Sequence, residues 1–161
     1  MKAIVYSSNT GSSKRYAEML SVKTGCAAYD INGCDSLSGD AEVIFIGWIM
    51  AGMIQGLDAA RQRFSNIKAV CAVGMMKSES QDTAVKEKNH ITEEYFSLSG
   101  AFDMNKLKGM HKMMMGMMVN MLKKKLKESP DPKAGEVLQK FTEGFDMVNE
   151  AELDPIIEFM K

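Results

Sequence analysis

With three prolines, one tryptophan and 7% aromatic residues, this 161-residue chain has few rigid or bulky side chains. Its three cysteines, Cys26, Cys34 and Cys71, are odd in number and lack metal-ligand spacing, which speaks against a disulfide framework and a zinc site. They are expected to be reduced and structural, Cys71 buried within the apolar run Ala69 to Val73; Cys34, in a polar stretch, is the one whose reactivity merits a test. No window holds the roughly 18 consecutive apolar residues of a membrane span. The start, Met1-Lys2-Ala3-Ile4-Val5, turns polar at Tyr6 and lacks the apolar core of a signal peptide, so a cytoplasmic location is expected. His90 and His111 have no partner at ligand spacing, so no metal is expected. No Ser/His/Asp or Cys/His constellation is evident, and no side chain is assigned as catalytic. Met104 to Lys127 carries seven lysines and no carboxylate. Against a net charge of −1 this leaves −8 on the rest of the chain, and nucleic acid is not an expected partner.

What is present is an alternation. Apolar runs with β-branched and aromatic content recur at Lys2 to Tyr6, Ala27 to Ile31, Val43 to Gly47, Ala69 to Gly74 and Tyr95 to Leu98. Helical patterns lie between them at Ser13 to Val22, Leu57 to Phe64 and Asp82 to Asn89. Strands alternating with helices predict βαβ units and a parallel sheet covered on both faces, hence an α/β fold in a chain of single-domain length. After Leu98 the pattern changes to a long helix, Asn105 to Lys127, stopped by Pro130 and Pro132. Further helices follow at Ala134 to Thr142 and Glu150 to Met160, the last delayed or kinked by Pro155. Residues 102–148 read as a helical insertion or extension on one α/β domain spanning 1–161.

Between the first strand and the first helix lies "YSSNTGSSKRYAEML". Free N–H groups and the positive end of a helix dipole make such a junction a natural anion site. Ser7, Ser8, Thr10, Ser12 and Ser13 add hydroxyls, Asn9 an amide, and Gly11 allows close backbone approach. The triphosphate motif G-x-x-x-x-G-K-[ST] and the dinucleotide fingerprint G-x-G-x-x-G are both absent, and the first cation is held back to Lys14. Neutral donors without an adjacent lysine suit one terminal phosphate, as on a monophosphate cofactor.

"IVYSSNTGSSKRYAEML" resembles the N-terminal signature of flavodoxins: aliphatic Ile4 and Val5, aromatic Tyr6, then Ser8, Gly11, Ser13 and Ala17, with serine at 13 where the family usually has threonine. The resemblance implies a doubly wound five-stranded parallel sheet of order 2-1-3-4-5 with FMN bound non-covalently. It assigns the cofactor's phosphate to Ser8, Asn9, Thr10, Gly11, Ser12 and Ser13.

In such a sheet the ligand lies beyond the carboxyl ends of the strands. "GWIMAGMIQG", Gly47 to Gly56, is expected to be the loop that packs on the flavin ring, with Trp48, Ile49 and Met50 against it. The Ala51-Gly52 peptide is expected to be flexible and to reach flavin N5. Gly74, Met75 and Met76 should cover the other ring face, thioethers replacing the aromatic residue many flavodoxins place there.

In "KLKGMHKMMMGMMVNMLKKKLK" a stripe runs through Leu107, Met110, Met114, Met117 or Met118, Met121 and Leu122, widened by Met113, Met115 and Val119. Burial against the sheet and the following helices is the first expectation, an adaptable docking surface the second and membrane-surface contact through the 105–127 helix the third. "LSGAFDMNKLKGMHKMMMGMM" followed by "FDMVNEAELDPIIEFMK" is similar to the C-terminal half of flavodoxin-domain proteins related to the menaquinone-dependent protoporphyrinogen oxidase. The resemblance implies electron transfer with a redox partner protein. As alternatives it leaves an FMN-dependent oxidoreductase acting on a porphyrin-like, quinone or other apolar small molecule, and a flavin-free regulatory or interaction module.

Overall fold

A computed structural model describes residues 2–161, which form two compact units: residues 2–100 with 148–161, and residues 101–147. In the first unit, β1 (Lys2–Tyr6), β2 (Ala28–Asp30), β3 (Glu42–Met50), β5 (Ile67–Gly74) and β6 (Glu94–Ser99) form a parallel sheet in the order β2-β1-β3-β5-β6. The short β4 (Met53–Ile54) pairs antiparallel with the end of β3. Counted without β4, this is the doubly wound order 2-1-3-4-5 anticipated above.

Central parallel strands are covered on both faces, so they read as continuous apolar runs: Ala3 to Val5, Val43 to Ile46 and Ala69 to Val73 are all buried. Alternation then sends neighbours to opposite sides. Ile4, Ile44, Ile46 and Cys71 pack beneath α1 (Ser12–Thr24) and α6 (Asp154–Met160), with Tyr16, Leu20, Leu153 and Ile156. Val5, Phe45, Val70 and Ala72 meet Leu57, Ala60 and Phe64 around α2 (Leu57–Arg63) and Val85 of α3 (Glu79–Lys88). Pro155 stands in the first turn of α6, where its missing N–H costs no helix bond, and Glu150 to Leu153 make a separate 3-10 turn.

Two expectations need correction in this unit. Cys34 is buried, its thiol donating to Ile31 O at 3.3 Å, so no reactive exposed cysteine stands there. Burial also pushes the Cys71 thiol far up from its ordinary pKa. And β3 does not end at Gly47 but runs on through Trp48 and Ile49 to Met50.

In the second unit, β7 (Ala101–Phe102) pairs antiparallel with β8 (Phe145–Asp146), and α4 (Gly109–Glu128) packs on α5 (Pro132–Glu143). Phe102 meets Phe141 edge-on, ring centroids 5.1 Å apart. The long helix starts four residues later than its periodicity suggests, because Met104 to Lys106 form a 3-10 turn capped by the Asp103 carboxylate, and Leu107 and Lys108 are extended. The methionine stripe is corrected more deeply. Met110, Met113, Met114, Met117 and Met121 are 50–71% exposed, and Val119 alone of α4 is buried.

Candidate functional site at the carboxyl ends of the central strands

The hydroxyl loop leaves β1 still in register with the sheet. Ser7 N–H donates to Ile46 O at 2.9 Å, one residue beyond the Tyr6 and Ile46 pair. Gly56 backs Ser7: it has φ +84°, and a Cβ there would lie 2.5 Å from Ser7 Cβ. The loop then closes when Gly11 N–H donates to Ser8 Oγ at 3.1 Å. Gly11, at φ 108°, is the N-cap of α1, and no side chain caps the helix there. A serine-rich cap would have spent its hydroxyls on these N–H groups.

Ser12 and Ser13 instead occupy the first helical turn, and both are buried. Ser13 is wholly excluded from solvent, and its hydroxyl has no partner. A buried hydroxyl left unpaired costs on the order of 1–3 kcal/mol. Beside an uncapped helix N-terminus it fits a bound acceptor. Asn9 is exposed, while Ser8 and Thr10 are half-buried at the rim.

The next loop along the sheet is no loose surface segment. Ile49 pairs with Ile54 and Met50 with Met53, and Gln55 N–H donates to Trp48 O at 2.8 Å, so residues 48–55 are a hairpin. Gly47 permits it, since a Cβ there would meet Gln55 O at 2.7 Å. At the tip Ala51 (φ 50°) and Gly52 (φ 77°) take the two positive angles that a tight two-residue turn requires. The tip is also fastened to the end of α3. Lys88 Nζ donates to Ala51 O at 2.7 Å and Asn89 Nδ2 to Gly52 O at 2.8 Å, while Asn89 Oδ1 accepts from Ile54 N–H at 2.8 Å. The supposed flexible peptide is therefore clamped, and turning its carbonyl would break the bond to Lys88. Nothing in the spacing of Lys88 and Asn89 pointed to this, because the contacts join residues 35 to 37 apart.

After β5, Gly74 lies close to the hairpin, a Cβ there being 3.2 Å from Ile49 Cδ1, and accepts from Gly100 N–H at 2.8 Å. Met75 is half-buried and Met76 is 60% exposed. Because β1, β3 and β5 are adjacent and parallel, with Tyr6 opposite Ile46 and Trp48 opposite Val73, the hydroxyl loop, Trp48, Ile49 and Gly74 share one end of the sheet. Met50, Ala51 and Gly52 extend away along the hairpin.

A polar cluster at the same end went unnoticed in the sequence. Glu152 accepts from Ser99 N–H at 2.7 Å and Ser99 Oγ at 2.8 Å, shares the single Tyr16 Oη proton (3.0 Å) with Ser99 O (2.6 Å), and pairs with Lys77 at 3.4 Å. Burial works to raise its pKa, but these donors outweigh it and hold the carboxyl below the usual glutamate range. Burial and the Glu152 charge push the Tyr16 phenol upward, against the Asn149 N–H it accepts. The cluster ties Lys77, in the loop after β5, to the turn before α6. Its members are 22 to 136 residues apart in sequence, so no local pattern announces it.

A hollow of about 170 Å³ lies at the opposite end of the sheet, lined by Lys2, Glu42, Lys68 and Met160 among others. Its charged groups already serve one another, Lys68 pairing with Glu42 at 3.5 Å and Lys2 donating to Met160 O. Among the described residues no group of His, Cys, Asp and Glu is arranged to hold a metal ion.

No curated protein matches this chain. The family model described as a flavodoxin domain matches residues 3–129, from β1 through the end of α4. With the parallel order of the sheet and the site at its carboxyl edge, that match establishes the chain as a member of the flavodoxin-domain family, whose members generally bind flavin in redox roles.

Proposed function

We propose that this chain binds one FMN non-covalently and serves as an electron-transfer protein for a redox partner. The observation that carries this is Ser13, a solvent-excluded hydroxyl without a partner, in the uncapped first turn of α1. The phosphate would be held by Ser13 Oγ, the backbone N–H groups of that turn and the hydroxyls of Ser8 and Thr10, with Asn9 and Ser12 beside them. Gly11 keeps the approach clear, since a side chain there would demand a strained φ. Trp48 and Ile49 from the hairpin side and Gly74, Met75 and Met76 from the next loop would flank the ring, with the clamped Met50 to Gly52 tip beyond them.

FMN supplies the electron-accepting chemistry; the protein contributes binding, orientation and electrostatics. Lys77 near the ring-covering loop is neutralised by Glu152, so the loop brings no net cation to the site. A second reading is an FMN-dependent oxidoreductase acting on a porphyrin-like, quinone or other apolar small molecule. It rests on the apolar side chains beside the hydroxyl loop, Trp48, Ile49 and Met75, being only half-buried.

Titration of the purified protein with FMN, followed spectroscopically, tests the binding. Reductive titration of the complex then counts the steps. Two separated one-electron steps support the carrier, and a single two-electron step with turnover of an apolar acceptor supports the enzyme. A protein that stays colourless with excess FMN overturns both and leaves the flavin-free module.

A further inference from the structure

The side chains of α4 divide into two apolar faces, and only one has a use inside the chain. Met115, Met118, Val119, Leu122 and Leu126 are buried or half-buried on the face turned inward. Met110, Met113, Met114, Met117 and Met121 follow the i, i+3, i+4, i+7, i+11 spacing of a second face, and each is at least half exposed. Five neighbouring methionines over about 16 Å of helix, at 1.5 Å per residue, make an apolar strip in water.

The charge around the strip selects its occupant. By helical spacing Lys124 and Lys125 continue the strip toward the end of the helix and Lys127 borders it, while Lys112 and Lys123 point well round toward the far side, and Lys106 and Lys108 precede the helix. The first carboxylate after Asp103 is Glu128, at the last residue of the helix. A second copy of the chain is disfavoured, because pairing the strip with itself would bring two basic, carboxylate-free segments together. Clusters of four to eight lysines on an amphipathic helix match an anionic lipid surface, and lysine stems can lie along an apolar layer with their heads in the headgroups. Among the described residues no helix is long and apolar enough to cross a membrane, so the helix would lie in the interface and not span it.

We infer that the exposed methionine face of α4, with its flanking lysines, docks the protein on an anionic membrane surface. The proposal is independent of flavin binding and is tested on the full chain by co-sedimentation with vesicles of phosphatidylcholine with or without phosphatidylglycerol. The chain is expected to bind the anionic vesicles, not the neutral ones, and to be released by salt. With about fivefold in partitioning per lysine near the surface, the triple substitution Lys124→Gln, Lys125→Gln, Lys127→Gln should weaken binding on the order of 100-fold. The triple substitution Met113→Ser, Met117→Ser, Met121→Ser should weaken it at least about tenfold while leaving the melting temperature unchanged. Equal binding of neutral and anionic vesicles, or of these variants and the parent, overturns the proposal. So does Met117→Trp fluorescence that brominated phosphatidylglycerol fails to quench, or a Met-face variant that changes only self-association in sedimentation.

Discussion

In the α/β unit Ile4, Val5, Phe45 and Val70 are wholly withdrawn from solvent, whereas the best-buried side chains of the helical unit, Phe102, Leu107, Val119 and Phe141, keep 6–8% exposure and five methionines stand half or more in water. Both units are rich in apolar residues, yet only one spends them on a closed core. A sheet covered on both faces consumes the apolar residues in the middle of its central strands. A pair of helices with one short hairpin has a single seam to fill, and any second apolar stripe on a helix is left over. An apolar run therefore marks buried structure in the central strands of the first unit, whereas in α4 it marks surface as well.

Substitutions in the α/β unit should accordingly be costly where they touch its packed loops. The largest effect is expected at Gly56→Ala, which places a Cβ 2.5 Å from Ser7 Cβ at a positive φ; it should cost about 3 kcal/mol in urea unfolding and also impair FMN binding. Glu152→Gln comes next, at about 1–2 kcal/mol near neutral pH, because the Ser99, Tyr16 and Lys77 contacts lose their charged acceptor. Its pH dependence has a definite sign. The folded carboxyl titrates below its unfolded value, so the stabilisation is present above about pH 4.3 and is lost as pH falls through the folded pKa. Denaturation of parent and variant should thus converge in acid, and a difference that persists would point to packing alone.

Ser13→Ala separates binding from folding. Removing an unpaired buried hydroxyl should leave the flavin-free protein as stable as before or up to about 1 kcal/mol more so, yet weaken FMN binding by roughly tenfold or more. Lost stability with unchanged affinity would show that the hydroxyl serves the fold. The smallest effect belongs to the helical unit. Met117→Ser, on the exposed face, should shift stability by less than about 0.5 kcal/mol. A larger loss in thermal melts would erase the distinction between the units.

Much of the fold was legible because its determinants are local. Continuous apolar runs marked the central strands, and the step from Tyr6 into serines and Gly11 marked the junction where strand gives way to helix. The hairpin escaped notice because Ala51, unlike asparagine or glycine, gives no hint of a left-handed angle. Cys34 misled because its neighbours are polar although its own thiol turns inward to Ile31. The clamp by Lys88 and Asn89 and the cluster around Glu152 are long-range contacts between residues with no shared pattern. In α4 the period was read correctly, but methionine on both faces cannot announce which half is covered.

The link from Tyr16 and Ser99 to Glu152 has a consequence for the order of events in folding. Residues 148–161 complete the same compact unit as residues 2–100, but only after the chain has passed through 101–147. During synthesis the sheet would emerge with the face of Ile4, Leu20 and Ile44 still bare of Leu153 and Ile156, a long-range closure of the kind that slows folding and exposes a nascent chain to aggregation. Because closure entropy grows only with the logarithm of the intervening length, about 0.6 kcal/mol per doubling, the segment between Gly100 and Val148 is free to lengthen or shorten at little thermodynamic cost. Variation in its length would register in the rate of folding far more than in the stability of the finished protein.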